Sequence, residues 1–358
     1  MRKSLVIVGG GYIGAELAKN MEDSCDVTLV EKKSAFVHAP AMLRALVDSS
    51  VREKALIPYD RLLTKGRVVK AKATAIKPDA VVVGDEEIPA DYIVLATGAS
   101  NGGIFKPGDE SIEAFRAAQS RVEEQIKTAE RIVIVGAGAV GTELAGEIAH
   151  AFPDKTLYLI SADARLFPSF PAKLGAGLAT RLSKIGVDLV LGARVTDLQS
   201  TTEPYEGSVT LDTGRIIDAD LVIPAIGSKP QTALFDSLPD VARGPDGRVK
   251  VDAYLRPSSL PNVFAAGDAV DTGDLMTIVA TSRQQPWLAK LLKDCAAGKS
   301  LEDQKPYSPW GKAPILVPLG PKRGNSFLVI ATFGVWVTRT AKGKELFIST
   351  YRKLLGYT

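Results

Sequence analysis

The sequence predicts an α/β protein with two doubly wound parallel sheets and a small C-terminal α+β cap. Two observations predict this fold. A strand, a glycine-rich turn and a helix follow one another from Ser4 and again from Arg131, and the apolar stretch 91–98 has a counterpart at 220–227. The displacement is 136 − 9 = 127 residues for the first glycines and 220 − 91 = 129 residues for the later stretches. One structural plan therefore occurs twice in the chain.

Length and composition limit the class of protein. A chain of 358 residues with 46% hydrophobic and 24% charged residues has enough apolar side chains for two or three folded domains. The formal net charge of +3 is too small for a dedicated nucleic-acid binder. Cys25 and Cys295 are the only cysteines and lie far apart. This spacing supports neither a disulfide framework nor a metal cluster, and it disfavours thiol-disulfide chemistry.

Two stretches of the sequence indicate where in the cell the protein is located. The first four residues run directly into an apolar strand, which argues against a signal peptide. The longest late apolar run, 327–337, is far shorter than the roughly 20 residues of a membrane-spanning helix. We therefore expect a protein of a reducing, cytoplasmic compartment.

The first glycine turn predicts a site for a dinucleotide. It contains Gly9, Gly11 and Gly14, and the next strand ends at Glu31. Without side chains in the turn, backbone N–H groups and a helix N-terminus can approach a pyrophosphate. Glu31 stands where an acid can accept hydrogen bonds from both ribose hydroxyls of an adenosine, so we assign this module to FAD. The alternative is a solvated acid at a strand end.

The second turn has the same spacing and predicts a second Rossmann-like domain, with Gly136, Gly138 and Gly141. Its next strand ends in Ser161 and Ala162, where an NADH-selective site usually has a carboxylate. Arg165 is close enough in sequence to pair with a 2′-phosphate, although a lone arginine at such a position is more often an ordinary surface residue. We therefore expect NADPH as well as NADH to bind here.

Four motifs occur in the order found in pyridine-nucleotide-dependent flavoprotein reductases: the two glycine turns, Ala96-Thr97-Gly98, and the stretch 262–268 that ends in Gly267-Asp268. Within that superfamily, Leu43-Arg44-Ala45, residues 152–155 and residues 342–348 resemble the ferroptosis suppressor (apoptosis-inducing-factor-like) flavoproteins. The resemblance covers essentially the whole chain.

The resemblance implies an FAD-dependent NAD(P)H oxidoreductase that reduces ubiquinone-like or vitamin-K-like quinones. Two other readings stay open: a reductase of a small electron-carrier protein, and a redox-sensing signalling flavoprotein. Arg2 stands where N-myristoylation requires glycine, which excludes that lipid anchor. The tail departs from the family pattern at Gly343 and Glu345, where the family has serine and aspartate.

The same plan divides the chain into three parts. We expect an FAD domain from 1–108 and 232–306, an NAD(P)H domain from 109–231, and a cap from 307–358 that packs over the FAD module. The cap has two apolar runs and a basic rim that includes Arg339 and Lys344. It could touch a membrane or lipid-droplet surface, form a homodimer, or simply form a core β-hairpin in a monomer.

The resemblance also implies roles for individual residues. Asp268 would accept a hydrogen bond from a ribityl hydroxyl of FAD, with helix capping as its alternative. Glu143 would lie near nicotinamide and flavin, or merely place an acid at a helix N-terminus. Lys342 would be a positioning or electrostatic group beside the active site, or a surface lysine. Arg44 would pair with an FAD phosphate, or be a surface helix charge.

Several further positions complete the predicted site. The cofactor-binding set also includes Thr97, Gly98, Gly227 and Gly267. A helix from about 276 to 296, kinked or interrupted at Pro286, would direct its N-terminus at the flavin. His38 and His150 join no triad or metal constellation and are interpreted as structural.

Overall fold

The computed structural model describes residues 2–100, 103–109, 111–311, 313–329, 331–334, 338, 342–343 and 345–358. The first module begins with β1 (Ser4–Val8), α1 (Tyr12–Met21), β2 (Asp26–Glu31), β3 (Ala35–Val37), α2 (Ala39–Arg44), α3 (Ser49–Ala55), β4 (Leu56–Pro58), β5 (Arg67–Lys70), β6 (Ala73–Lys77), β7 (Ala80–Val83), β8 (Glu86–Pro89), β9 (Tyr92–Leu95) and β10 (Ala99–Ser100). The chain returns to this module through β18 (Val249–Lys250), β19 (Val263–Ala265), β20 (Val270–Asp271) and α7 (Ile278–Ala296).

The second module lies between these two parts. Its elements are α4 (Ile112–Thr128), β11 (Arg131–Val135), α5 (Ala139–Ala151), β12 (Thr156–Ser161), α6 (Ala172–Ser183), β13 (Val187–Leu191), β14 (Val209–Thr210), β15 (Ile216–Ile217), β16 (Leu221–Pro224) and β17 (Lys229–Pro230), followed by a 3-10 turn at Ala233–Ser237. The C-terminal segment contains β21 (Ile315–Leu319), β22 (Arg323–Phe327), β23 (Thr332–Phe333) and α8 (Ile348–Leu354).

The first module has a five-stranded parallel sheet in the order β19-β9-β1-β2-β5. The central strands β1 and β9 are largely apolar because both faces of the sheet are covered there. Leu5 and Ile7 join the core on one face with α1 and α7, and Val6 and Val8 join the core on the other face. The antiparallel meander β6-β7-β8 contributes to that second core.

The second module has a four-stranded parallel sheet in the order β13-β12-β11-β16. Ile132 and Ile134 of β11 share a core with α5 and α6, and Val133 and Val135 share one with β14 and β15. This alternation follows from the two-residue period of a strand. The two sheets confirm the predicted α/β fold with two modules of one plan.

The C-terminal segment contacts the second module as well as the first, over which it was expected to pack. Val317, Leu319 and Phe327 lie in the core of the second module. A Cβ at Gly146 of α5 would lie 2.5 Å from the Cα of Leu319, so this glycine permits β21 to approach the helix closely. Near the chain end, Tyr351 of α8 packs on Phe36 of the first module at 5.5 Å between ring centroids.

Parts of the predicted cap lie outside the described residues, among them Arg339, Lys344 and four of the eleven residues of the apolar run 327–337. Helix α7 confirms the helix expected from about 276 and continues without interruption through Pro286. Among the residues that the structure describes, no helix has both the length and the apolar composition to cross a membrane.

Candidate functional site

The first glycine turn combines tight backbone contacts with one open position. Gly9 has φ +102°, and a Cβ there would lie 2.4 Å from the carbonyl oxygen of Ala96. A Cβ at Gly14 would lie 1.8 Å from the oxygen of Gly9. By contrast, no described atom lies within 4 Å of a Cβ built on Gly11. The outer glycines therefore permit the strand and α1 to meet, and Gly11 leaves space before the helix N-terminus.

The second turn repeats this geometry at each position. A Cβ at Gly136 would lie 2.6 Å from the oxygen of Ala225, and one at Gly141 would lie 1.9 Å from the oxygen of Gly136. The position of Gly138 is again open. Among the described residues, no side chain caps α1 or α5. Both helices thus present free backbone N–H groups to an open space, which is what a pyrophosphate requires.

Glu31 is held at the first turn and is only 5% exposed. Its carboxylate accepts hydrogen bonds from the backbone N–H groups of Gly10, at 2.5 Å, and Lys33, at 2.9 Å. The ammonium of Lys33 lies 3.1 Å from the same carboxylate. These contacts differ from those of a solvated acid at a strand end. Glu31 instead lies in the wall of the cleft described next.

A cleft lies between the two modules, at the carboxyl ends of their strands. Parallel α/β sheets bind ligands at this edge. Many of the predicted site residues line it: Gly9, Gly11, Glu31, Thr97, Gly98, Glu143, Gly267, Asp268 and Lys342. The second turn borders the cleft through Ala139 and Val140, and Gly227 precedes the lining residue Ser228. The structure thus brings together residues that are distant in sequence.

Asp268 follows β19 and faces the cleft. Its carboxylate lies 3.3 Å from the ammonium of Lys106, a cleft residue that the sequence analysis missed. Asp268 does not cap the next helix, because the side chain of Thr277 caps α7 by accepting from the N–H of Ala280. The first turn of α7 lines the cleft.

Glu143 and Lys342 meet across the cleft wall. The Lys342 ammonium donates to Oε1 of Glu143 at 2.6 Å and to the carbonyl oxygen of Leu316 at 3.2 Å. Burial raises the pKa of Glu143, against the lowering effect of Lys342. Neither residue is a solvated surface charge: both side chains are largely buried and both line the cleft. The pair can hold a negative and a positive group beside a bound ligand.

Arg44 contacts the second module. Its guanidinium forms a bidentate ion pair with Glu147 of α5, at 3.0 Å and 2.8 Å, and Arg44 is outside the described residues that line the cleft. Arg44 forms this pair because it is the buried last residue of α2 and its side chain extends to α5 of the second module. These contacts add no support to the assignment of Arg44 to an FAD phosphate, and its neighbour Leu43 is the residue that lines the cleft.

Arg165 is an exposed residue beyond the end of β12. Its guanidinium donates to the backbone oxygens of Pro168, at 2.5 Å, and Phe170, at 3.3 Å. These bonds hold the local loop, and Arg165 is not among the described cleft residues. The structure thus gives Arg165 a local role and adds no support to its pairing with a 2′-phosphate.

Sequence reasoning also missed aromatic residues of the first module. Tyr59 lines the cleft and donates to the carbonyl oxygen of Gly10 at 2.7 Å. Tyr12 lines the cleft at the start of α1, and its hydroxyl lies 3.1 Å from Nδ1 of His38. Burial lowers the pKa of His38 to about 4. Of these aromatic residues, only Tyr12 could have been found from the sequence, because it lies inside the first glycine motif.

Comparisons with known proteins agree with this geometry. The chain matches the family model "Pyridine nucleotide-disulphide oxidoreductase" over residues 58–285, and a second model with the same description over residues 4–77. The sulfide:quinone oxidoreductase of the hyperthermophilic bacterium Aquifex aeolicus has a similar structure, with a TM-score of 0.77, 17% identity, and coverage of 98% of this chain and 90% of that one. A likeness at this identity concerns the fold.

Two relatives match nearly end to end. Apoptosis-inducing factor homolog B of Dictyostelium discoideum is 31% identical over 98% of this chain and 96% of its own length. Ferroptosis suppressor protein 1 of Xenopus laevis is 29% identical over 99% of this chain and 96% of its own length. The chain therefore belongs to the FAD- and NAD(P)-dependent pyridine nucleotide-disulphide oxidoreductase family, in the group of apoptosis-inducing factor homologues and ferroptosis suppressor proteins.

Proposed function

We propose that this oxidoreductase transfers electrons from NADH or NADPH through FAD to a quinone of the ubiquinone or vitamin K type. One observation carries the proposal: the first glycine turn, Asp268 and the Glu143–Lys342 pair line a single cleft. A cofactor held by the first module and a nicotinamide held by the second can therefore meet beside one acid and one cation.

The first module has the groups that FAD needs. The open space at Gly11 and the free N-terminus of α1 suit the pyrophosphate, and Glu31 suits the adenosine ribose. We assign Asp268 to the ribityl chain and the N-terminus of α7 to the pyrimidine edge of the flavin. When bound, FAD supplies the capacity to accept two electrons from a nicotinamide and pass them to an acceptor. We assign residues 1–108 and 232–306 to this domain.

The second module, 109–231, would hold the nicotinamide nucleotide. The N-terminus of α5 and the open position of Gly138 suit its pyrophosphate. Glu143 lies in the first turns of the same helix and faces the cleft, where its carboxylate can accept a hydrogen bond from the nicotinamide amide. Lys342 holds that carboxylate in place and favours its charged form.

The acceptor would lie against the apolar wall beside Lys342. This wall includes Val37, Pro314, Leu316 and Phe347. A flat apolar ring can pack there while its carbonyl oxygen accepts a hydrogen bond from the Lys342 ammonium. Thiol chemistry is not part of the proposal, because Cys25 and Cys295 are single free thiols and neither lines the cleft among the residues described.

Contact with a membrane or lipid-droplet surface is proposed for the segment 307–358, in a monomer or a homodimer. Deletion of this segment would be a poor test, because β21 and β22 belong to the core of the second module. Co-sedimentation of the full chain with phosphatidylcholine vesicles is the suitable measurement. Protein that stays in the supernatant at every vesicle concentration would refute the membrane contact.

Anaerobic titration tests cofactor, donor and acceptor together. The purified protein is expected to be yellow, and NADH or NADPH should abolish its oxidised-flavin absorbance. Addition of menadione or a short-chain ubiquinone should restore that absorbance. A folded protein that takes up no FAD would refute the proposal. Recovery with an added ferredoxin but with neither quinone would favour a protein acceptor instead.

A further inference from the structure

The guanidinium of Arg44 joins three segments of the chain. Its Nε and Nη2 atoms donate to the two carboxylate oxygens of Glu147, and Nη2 also donates to the carbonyl oxygen of Gly343 at 2.8 Å. Arg44 ends α2 of the first module, Glu147 belongs to α5 of the second, and Gly343 belongs to the C-terminal segment. Arg44 is 8% exposed and Glu147 is 3% exposed.

Both partners of Arg44 are close neighbours of the pair in the cleft. Glu147 follows Glu143 by four residues, so the two carboxylates lie on one face of α5. Gly343 directly follows Lys342. The four charged residues are therefore connected in a ring. Ion pairs join Arg44 to Glu147 and Lys342 to Glu143. Helix α5 joins the two glutamates, and Gly343 joins Lys342 to Arg44.

We infer that Arg44 is a positioning residue, which fixes the Glu143–Lys342 pair relative to the wall of the cleft formed by α2. The inference rests on the proposed function. A bidentate arginine–carboxylate pair has a fixed planar geometry, and burial shields it from water. Because Leu43 beside Arg44 lines the cleft, this pair links the wall of the first module to the nicotinamide side of the second. A displacement of about 1 Å in such a site can lower a rate by about 100-fold.

The test needs variants that keep the fold. Removal of one partner alone would leave a buried charge without compensation, whereas replacement of both by apolar side chains of similar volume is often tolerated. The test variant is therefore Arg44→Met/Glu147→Met. The matched control is Arg52→Met/Glu123→Met, because Arg52 and Glu123 form another buried pair, at 2.6 Å between α3 and α4. Both control residues lie outside the described lining of the cleft.

Two measurements are made on wild type and both double variants. Stopped-flow mixing of the FAD-loaded proteins with NADH gives the limiting rate of flavin reduction and the apparent Kd of NADH. Hydrogen exchange of the FAD-free proteins gives the protection of the peptide that contains residues 342–350. We expect Arg44→Met/Glu147→Met to lower the limiting rate by roughly 10- to 100-fold and to speed exchange in that peptide. The control should change the limiting rate less than about twofold, and both variants should retain bound FAD.

The outcomes separate the inference from the proposed function. A limiting rate and tail exchange equal to wild type in the Arg44→Met/Glu147→Met variant would overturn the inference. Equal losses in both double variants would also overturn it, since any buried pair would then have the same effect. A wild-type protein that binds FAD but is reduced by neither NADH nor NADPH would instead refute the proposed function, and with it a role of Arg44 in the reaction.

Discussion

Ser161 occupies in the second module the position that Glu31 occupies in the first. The N–H of Gly9 donates to the oxygen of Val30 at 2.9 Å, and the N–H of Gly136 donates to the oxygen of Ile160 at 2.9 Å. Glu31 and Ser161 each come directly after those acceptors. Glu31 accepts from the N–H of Gly10, whereas the hydroxyl of Ser161 accepts from the N–H of Asp163 at 3.2 Å. The second site therefore lacks a carboxylate where the first has one.

This difference predicts the effect of Ser161→Glu. A carboxylate at this position would repel the 2′-phosphate of NADPH and could accept hydrogen bonds from the ribose of NADH. We expect KM for NADPH to rise by roughly tenfold or more, in line with about 1.5 kcal/mol for one charged contact, with little change in KM for NADH. Steady-state kinetics with both nucleotides measure the ratio. Ser161→Ala is the control, and equal changes of both KM values in Ser161→Glu would contradict the prediction.

Substitution of the acid at the cleft should slow flavin reduction. Glu143→Gln keeps the size of the side chain but removes the charge that faces the nicotinamide side and pairs with Lys342. A charged hydrogen bond contributes about 1.5–3 kcal/mol, so we expect a loss of roughly 10- to 100-fold in the limiting rate with NADH. Anaerobic stopped-flow absorbance measures this rate. Glu124→Gln, which replaces an exposed acid on α4, should leave it unchanged. A Glu143→Gln rate within twofold of wild type would count against the proposed role.

The two kinds of glycine in the first turn should respond differently to alanine. Gly11→Ala puts a methyl group into open space, so the FAD-free protein should keep its stability but bind FAD more weakly, by roughly tenfold or more. Gly14→Ala puts a Cβ 1.8 Å from the oxygen of Gly9 and should lower the free energy of unfolding by about 1–3 kcal/mol or more. Denaturant unfolding and titration with FAD measure the two effects. Similar behaviour of the two variants would be evidence against the geometry of the turn.

His38 should make stability depend on pH in mildly acidic solution. Its side chain is fully buried between the Tyr12 hydroxyl and the carbonyl oxygen of Leu346, and burial lowers its pKa from 6.5 to about 4. Between these values the unfolded chain binds the extra proton and the folded protein does not. The stabilisation is therefore present above pH 6.5 and is lost progressively as pH falls towards 4.

The measurement is the free energy of unfolding at pH 7 and pH 5. Through His38, the free energy of unfolding of wild type should fall by about 2 kcal/mol between pH 7 and pH 5. His38→Gln should lack this part of the decrease. His150→Gln is the control. His150 is partly exposed, so this variant should retain most of the decrease. An identical pH dependence in wild type and His38→Gln would show that His38 is not the responsible group.

Local spacing in the sequence was enough to predict part of the protein. Strand, turn and helix follow from apolar periodicity and from glycines at fixed intervals, so both glycine turns and the position of Glu31 beside the first could be predicted. Asp268, Glu143 and Lys342 were identified through resemblance to a family. The structure brings these residues to one cleft, because the carboxyl ends of parallel strands meet at the same edge of a sheet.

Which charged side chains are partners became clear only from the folded protein. Arg44 and Glu147 are 103 residues apart, and Lys106 and Asp268 are 162 residues apart. A single arginine or lysine has no local pattern that distinguishes an ion pair between modules from a solvated surface charge. The position of the C-terminal strands could not be predicted from the sequence either. It depends on the missing side chain at Gly146, which lets β21 pack closely against α5. Such contacts form between surfaces that are already folded, and the spacing of residues along the sequence does not specify which surfaces pack together.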